Sequence, residues 1–206
     1  MSASTGPAVA ATVAARRTRR WVTFGALAGG IVVADQITKR WVDANFQLAY
    51  LSTPIPGLAA PTPVIGDLVR IAKSYNDGGL FGLFGTAAPM LALASLFVIA
   101  IIVWFQWRAA GSASLLMTIT LGLLLGGAVG NLLDRLRLGY VIDYVDTGLG
   151  ANRFFTFNVA DSAISLAIVG LILITFLGDR LGADAAPPVA ADAPGATEGL
   201  QVSRRR

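Results

Sequence analysis

Apolar residues are grouped along the chain into four long runs, separated by polar or proline-rich stretches. A helix needs about 20 mostly apolar residues to cross a bilayer, and each run is close to that length. The pattern predicts four membrane-spanning helices, at about 21–41, 87–107, 115–133 and 159–177. Tryptophan is enriched at bilayer surfaces, and every tryptophan lies at an end of one of these predicted helices: Trp21, Trp41, Trp104 and Trp107.

The segment between the first two predicted helices, 43–86, has a different pattern. It carries several prolines and then a stretch, 68–75, in which apolar and polar residues alternate. Short alternating runs interrupted by proline are typical of β-strands. The sequence therefore predicts an all-α integral membrane protein with four transmembrane helices and a small extracytoplasmic antiparallel β-sheet between helices 1 and 2.

The two ends of the chain differ in composition from the membrane domain predicted at 21–178. Residues 1–20 are rich in small residues and end in an arginine cluster, and residues 179–206 are rich in Ala, Pro and Asp. Both are predicted to be disordered tails. A basic start before an apolar run also resembles a signal peptide, but the run continues to Asp35 without a cleavage site before a soluble domain.

Basic residues predict the orientation of the helices. The termini and the short loop at Arg108 hold nine of the sixteen Lys and Arg residues, and the densest cluster directly precedes the first helix. Basic flanks remain on the cytoplasmic side, so both termini are predicted to be cytoplasmic. This placement also explains the net charge of +4 without nucleic acid as a partner.

Residue usage limits the chemistry that the chain performs. The chain has no cysteine and no histidine, which excludes disulfides, Ser-His and Cys-His catalysis, and zinc sites built from those residues. Glu198 is the single glutamate beside eleven aspartates. If the chain is an enzyme, carboxylates are expected to act, and neither a metal nor an organic cofactor is predicted.

Ionisable residues inside spanning helices are costly, and each is therefore a functional hypothesis. Asp35 lies four residues before Lys39 in the first helix, so that both share one face and are able to pair. A structural ion pair explains them as well as a catalytic role does. In the third helix, Asn131, Asp134 and Arg135 follow three glycines, and tight helix packing with a salt bridge at the helix end is an equal alternative to a site.

Two further aspartates lie near the predicted membrane surface. Asp143 is the carboxylate within an apolar, strand-like segment at 138–145, and Asp161 lies in the first turn of the fourth helix. Asn158 is a candidate N-cap, and Asp161 three residues later fits a capping arrangement without catalysis. As a pair, however, two carboxylates that share a proton serve as general acid and general base. The residues alone leave both readings open.

Five motifs resemble those of the lipoprotein signal peptidases, also called type II signal peptidases. They are Asp35 with Lys39, NDGGLFG at 76–82, GGAVGNLLDR at 126–135, GYVIDY at 139–144 and FNVADS at 157–162. The resemblance covers about residues 25–177, with the motifs in the family's order and spacing. It implies an enzyme of the bacterial cytoplasmic membrane that acts at its extracytoplasmic face.

The resemblance also implies roles for individual residues. It implies a catalytic aspartic dyad at Asp143 and Asp161. A second group is implied to bind substrate or support the site: Asn76, Gly78, Asn131, Arg135, Asn158, Asp35, Lys39 and Asp134. The implied substrates are diacylglyceryl-prolipoproteins, cut just before the lipidated cysteine. Membrane lipids are the other expected partners, a monomer suffices, and residues 48–66 are a candidate lid.

Other functions are weighed against this one. An intramembrane protease of the presenilin type would carry a Tyr-Asp motif and a Gly-x-Gly-Asp motif on two mid-membrane helices. In this sequence Tyr144 follows Asp143 instead of preceding it, and there is no Gly-x-Gly-Asp. An ion-coupled transporter would use Asp35, Lys39, Asp143 and Asp161 as a relay, although no repeats support it. A structural scaffold would not need Asp and Asn concentrated at one membrane depth. Carboxylates spread across the membrane would favour the transporter.

Overall fold

Four helices and a small sheet form the protein, as seen in a computed structural model that describes residues 6–51, 53–78, 88–112 and 114–181. The helices are α1 (Gly6–Asn45), α2 (Ala88–Ala109), α3 (Leu115–Leu138) and α4 (Val159–Leu181). The strands are β1 (Thr62–Ile65), β2 (Val69–Asn76), β3 (Val141–Leu149) and β4 (Asn152–Arg153). Within the described ranges, four helices are long and apolar enough to cross a membrane, which confirms the predicted architecture.

The third helix is the centre of the bundle. Half of the spanning part of α3, 50%, is buried inside the protein, against 17% for each of the other three helices. Glycines allow this close packing, because a methyl group at Gly126 would lie 2.9 Å from the carbonyl oxygen of Ala28 in α1. At Gly127 a methyl group would collide with the carbonyl oxygen of Ala160 in α4. The packing interpretation of these glycines is therefore confirmed.

The sheet is antiparallel, with the strand order β1-β2-β3-β4. Sequence patterning located this sheet only between helices 1 and 2, and that prediction is incomplete. The segment between α3 and α4 supplies β3 and β4, so the sheet joins two distant parts of the chain. Gly139 lies between α3 and β3. It ends α3 in a left-handed conformation, with φ of 83°, and so lets the chain turn into β3.

The boundaries of the outer helices differ from the predicted ones. α1 begins at Gly6 rather than near Trp21, because residues 8–15 are mostly alanine, the strongest helix former, and continue the helix ahead of the arginine cluster. α4 extends to Leu181. The tail predicted after that point lies outside the described residues, as does the second half of the motif at 76–82.

Candidate active site

Two backbone contacts bring Asp143 and Asp161 to the same end of the bundle. Asp143 lies in β3 opposite Ser74 of β2, and its side chain is buried. The segment before α4 returns to the same strand, where Val145 and Phe157 exchange backbone hydrogen bonds of 2.8 and 3.1 Å. The first turn of α4, with Asp161, therefore begins beside β3.

Asn158 joins the two carboxylates. Its Nδ2 donates to Asp143 Oδ1 at 2.7 Å, and its backbone N–H donates to Asp161 Oδ2 at 3.2 Å. In return, Asn158 Oδ1 accepts a bond of 2.9 Å from the backbone N–H of Asp161. The capping interpretation of Asp161 is confirmed by these reciprocal bonds, and the cap itself connects this residue to Asp143.

Asn131 of α3 connects the pair to the helix bundle. Its Nδ2 donates to Asp161 Oδ1 at 2.7 Å, while its Oδ1 accepts bonds from Lys39 Nζ at 2.9 Å and from Asn158 Nδ2 at 3.2 Å. Each polar atom of the Asn131 side chain is thus used. Because the acceptor faces a cation, the amide group is held with its donor towards Asp161.

A buried ion cluster lies behind Asn131. Lys39 Nζ is 2.8 Å from Asp35 Oδ2, as predicted from their spacing, and 2.9 Å from Asp134 Oδ2. Asp35 Oδ1 accepts a hydrogen bond from the backbone N–H of Ala160, at 2.9 Å. Asp134 Oδ2 accepts one from the backbone N–H of Ile142, at 3.3 Å. Each carboxylate therefore fixes the residue directly before one member of the aspartate pair.

The end of β2 approaches Asp143 from the other side. Asn76 Nδ2 donates to Asp143 Oδ2 at 3.0 Å, so both oxygens of this carboxylate accept an amide N–H. The backbone N–H of Gly78 donates to Asn76 Oδ1 at 3.0 Å and thereby orients the amide. Gly78 has φ of 77°, a left-handed conformation that favours glycine, and a methyl group there would force the Leu91 side chain of α2 to shift.

Two cavities lie near the site: one reaches Asn131, which bonds to Asp161, and the other is lined by Asp161 itself. One, of about 340 Å³, lies between α2, α3 and α4 and reaches Asn131 and Arg135. Arg135 Nη1 contacts the backbone oxygen of Asn131 at 3.5 Å, and the buried Nε has no partner in the described part of the chain. The second cavity, of about 450 Å³, is lined by Phe154, Phe157 and Asp161 together with residues of α4. Both have largely apolar walls and polar ends.

The environment of Asp143 favours its neutral form. Burial raises the pKa of Asp143 from 3.8 to about 6, and the nearby charge of Asp161 acts in the same direction. Hydrogen bonds from Asn76 and Asn158 and the charge of Lys39 oppose this rise in pKa. A carboxyl of this kind holds a proton at mildly acidic pH and is able to donate it.

Three contributors to the site were missed by sequence reasoning. Gln36 Nε2 donates to Asp134 Oδ1 at 2.8 Å, and Tyr144 donates to Thr38 Oγ1 at 2.8 Å, which ties β3 to α1. The sequence signal that could have found Gln36 and Thr38 is their position next to Asp35 and Lys39 in the same helix. In the described residues, no group of three or more His, Cys, Asp or Glu side chains is able to hold a metal ion.

Comparison with known proteins identifies the family. The model of the signal peptidase (SPase) II family matches residues 27–177. The chain belongs to the signal peptidase II family. Lipoprotein signal peptidases of Rhodopseudomonas palustris and Dehalococcoides mccartyi are both 35% identical, over 167 and 173 residues. These alignments cover 76% and 82% of this chain and 94% and 97% of the relatives.

Solved structures agree with the family assignment. A bacterial membrane enzyme determined by the in meso method matches with a TM-score of 0.62 and 26% identity, covering 76% of this chain and 94% of that one. The signal peptidase II family is a family of peptidases, and its members process lipoproteins. The resemblance drawn from the five motifs is therefore confirmed, and the chain is a multi-pass membrane peptidase rather than a transporter.

Proposed function

We propose that the chain is an aspartic endopeptidase that removes the signal peptide from diacylglyceryl-modified prolipoproteins, cutting just before the lipidated cysteine. The observation that carries this proposal is the pair of carboxylates, Asp143 and Asp161, joined through Asn158. Family membership supports the peptidase class, and the name of the relatives supports lipoprotein precursors as substrates.

The surroundings of the two carboxylates suggest a division of roles. Asp161 lies in the first turn of α4, where the helix dipole and the N–H of Asn158 favour an anion, so Asp161 is the general base. Asp143, buried and with a raised pKa, is the general acid. In this proposal the pair shares one proton, which Asp143 holds before the reaction begins.

The proposed reaction uses one water molecule. Asp161 takes a proton from the water as its oxygen attacks the scissile carbonyl carbon, and Asp143 gives its proton to the carbonyl oxygen. The tetrahedral intermediate then loses the amine: the proton held by Asp161 passes to the leaving nitrogen, and a hydroxyl proton returns to Asp143. The carbon–nitrogen bond breaks, a carboxylic acid and an amine form, and the dyad regains its starting state.

The neighbouring groups support a bound peptide backbone. Arg135 adjoins the cavity with its Nε unpaired among the described residues, so it is available to donate to a substrate carbonyl. Asn76, Asn131 and Asn158 hold the carboxylates in place, with Gly78 behind Asn76. Asp35, Lys39 and Asp134 act as supporting groups. The apolar walls of the two cavities suit a signal peptide and the acyl chains of its lipid.

The orientation is part of the same proposal. The arginine cluster before Trp21 supports cytoplasmic termini, which puts the sheet and the dyad at the extracytoplasmic face of a bacterial cytoplasmic membrane. A substrate anchored by its acyl chains would then present its scissile bond at the depth of Asp143. One copy of the chain holds every proposed group, so a monomer suffices, and residues 48–66 remain the candidate lid.

Cleavage of a purified diacylglyceryl-prolipoprotein in detergent tests the proposal. Asp143→Asn and Asp161→Asn are each expected to lose at least about 10³-fold in rate, because one exchangeable proton site is removed. Asp43→Asn is the matched control. This carboxylate is near the end of α1, on the side of the bundle where the aspartate pair lies, and it is exposed and pairs with Lys73. Mass spectrometry of the products identifies the bond that is cut.

Two outcomes would contradict the proposal. If either dyad variant folds and retains the wild-type rate, the aspartic mechanism is wrong. If wild type cuts the unmodified precursor as fast as the lipidated one, the lipid is not part of the recognised substrate.

A further inference from the structure

A third cavity, of about 290 Å³, opens at the end of the bundle opposite the aspartate pair. It lies between the early part of α1, through Val13 and Arg17, and the end of α2 with the turn after it, through Trp107, Arg108 and Gly111. Two cationic side chains thus face one space from two helices. No group proposed for catalysis lines it.

The charged residues that α1 and α2 contribute around this cavity are all basic. Arg16, Arg17, Arg19 and Arg20 occupy α1 here, Arg108 ends α2, and neither α1 before Asp35 nor α2 carries an acidic residue. Arginine binds phosphate oxygens in bidentate geometry, and basic pockets between membrane helices bind lipid head groups. The lining therefore favours an anion with several oxygen atoms.

Two buried side chains close in the chain to the lining residues have polar atoms without a hydrogen bond among the described residues. Arg20, one turn after Arg17, is 8% exposed, and its Nε and Nη1 have no hydrogen bond within the described residues. Gln106, beside Trp107, is fully buried, and both polar atoms of its amide are likewise unpaired there. Leaving buried polar groups unpaired is unfavourable, so the interior of this end of the bundle has polar groups that a ligand could satisfy.

The aromatic residues indicate the depth of the cavity. Trp107 lines it and is 55% exposed, while Arg108 lies 5.7 Å above the ring of Trp104. Tryptophan rings of this kind lie at the level of lipid head groups. Topogenic charge alone would explain the arginines, but it would not require a cavity shared by two helices.

We propose that this cavity binds the phosphate of an anionic phospholipid from the leaflet opposite the aspartate pair. Arg17 and Arg108 hold the phosphate from the two helices, and Trp107 covers the adjoining glycerol region. The bound lipid links the start of α1 to the end of α2. The site is defined by its place in the fold, and it does not depend on the proposed peptidase mechanism.

Thermal unfolding and native mass spectrometry of detergent-purified protein test the site. The probes are phosphatidylglycerol, phosphatidylcholine as the neutral lipid, and inorganic phosphate. Wild type is expected to retain phosphatidylglycerol and to gain thermal stability as its concentration rises. Arg17→Gln/Arg108→Gln is expected to bind it at least tenfold more weakly. Arg16→Gln/Arg19→Gln removes the same charge from residues that do not line the cavity, and is expected to bind as wild type does.

Each other result would overturn the proposal. Equal weakening in the two double variants would mean diffuse attraction rather than a site, and unchanged binding in Arg17→Gln/Arg108→Gln would exclude these residues. Equal stabilisation by phosphatidylcholine would remove the role of charge. Equal stabilisation by inorganic phosphate would identify a free anion as the ligand. Size-exclusion profiles and unfolding temperatures in neutral lipid show that the variants are folded.

Discussion

The two ends of the helix bundle differ in how completely their buried polar side chains are paired, and the Nε of Arg135 is the exception at the end with the aspartate pair. At the end with the aspartate pair, Lys39 and Asn158 are buried, and each bonds to several neighbours from other parts of the chain. At the other end, Arg20 and Gln106 are also buried, but they have polar atoms that form no hydrogen bond with any described residue.

We call the network around Lys39 and Asn158 finished, because their polar groups are hydrogen-bonded, and the group of Arg20 and Gln106 unfinished, because it has polar atoms without a hydrogen bond among the described residues. Buried groups that satisfy one another hold a single geometry, because moving any member leaves a costly unpaired atom. Unpaired groups do not fix one another's positions, and a ligand that forms hydrogen bonds with them stabilises them. The first end is thus suited to chemistry, which needs fixed distances, and the second end is suited to binding.

The largest effect is expected from breaking the finished network at its cation. Lys39→Met leaves Asp35 and Asp134 buried without a counter-charge, which costs about 3–5 kcal/mol when one partner of a buried pair is removed. We expect a marked loss of thermal stability in detergent and almost no cleavage. Arg40→Met, an exposed neighbour, is the control. Wild-type stability in Lys39→Met would show that the network is not what holds this end.

A smaller effect is expected from the hydrogen bond between Asn76 and Asp143. This bond favours the ionised carboxylate, so its removal in Asn76→Ala raises the pKa of Asp143 further above about 6. If Asp143 acts as the protonated acid, kcat/KM falls as pH rises through that pKa. The falling limb of the profile should therefore move upward by about one pH unit, equivalent to about 1.4 kcal/mol.

The pH profile has its own control. Asn45→Ala removes an exposed asparagine at the same end of the bundle, where its side chain bonds only to the backbone oxygen of Trp41 among the contacts described. Its profile should match that of wild type. A limb that moves downward in Asn76→Ala, or does not move, would contradict the role of Asp143 as the acid.

The smallest effect, of opposite sign, is expected at the unfinished end. Gln106→Leu replaces two unpaired buried polar atoms by apolar ones, so in lipid-free detergent the free energy of unfolding should stay equal or rise by about 1 kcal/mol. The matching change Asn131→Leu removes a fully bonded amide and should destabilise the protein and abolish cleavage. If thermal unfolding shows similar losses of stability in both variants, the proposed difference between the two regions is wrong.

Much of the site was readable from sequence because its residues carry local signals. The four spans follow from apolar run length, and the cap at Asn158 and Asp161 follows from a three-residue spacing. The pair Asp35 and Lys39 follows from helical periodicity in the same way. Each of these relations lies within one element, where position along the chain determines which side chains meet.

The remaining features depend on contacts between distant elements. Pairing of β2 with β3 brings Ser74 opposite Asp143, and no local pattern shows that two separate loops share a sheet. The bond from Tyr144 to Thr38 crosses from β3 to α1 in the same way. The cavity at Arg17 and Arg108 also needs two helices side by side before it exists. Periodicity predicts elements, and it does not predict which of them become neighbours.

The shared ammonium group of Lys39 has a mechanical consequence for an enzyme in a fluid membrane. Through Asp35 and Asp134 it is linked to the backbone just before both proposed reacting groups, at Ala160 and Ile142. Membrane helices tilt as bilayer thickness changes. Because both linkages meet at the ammonium group of Lys39, we expect tilting of α1 to move the two reacting groups together and so to change their separation little.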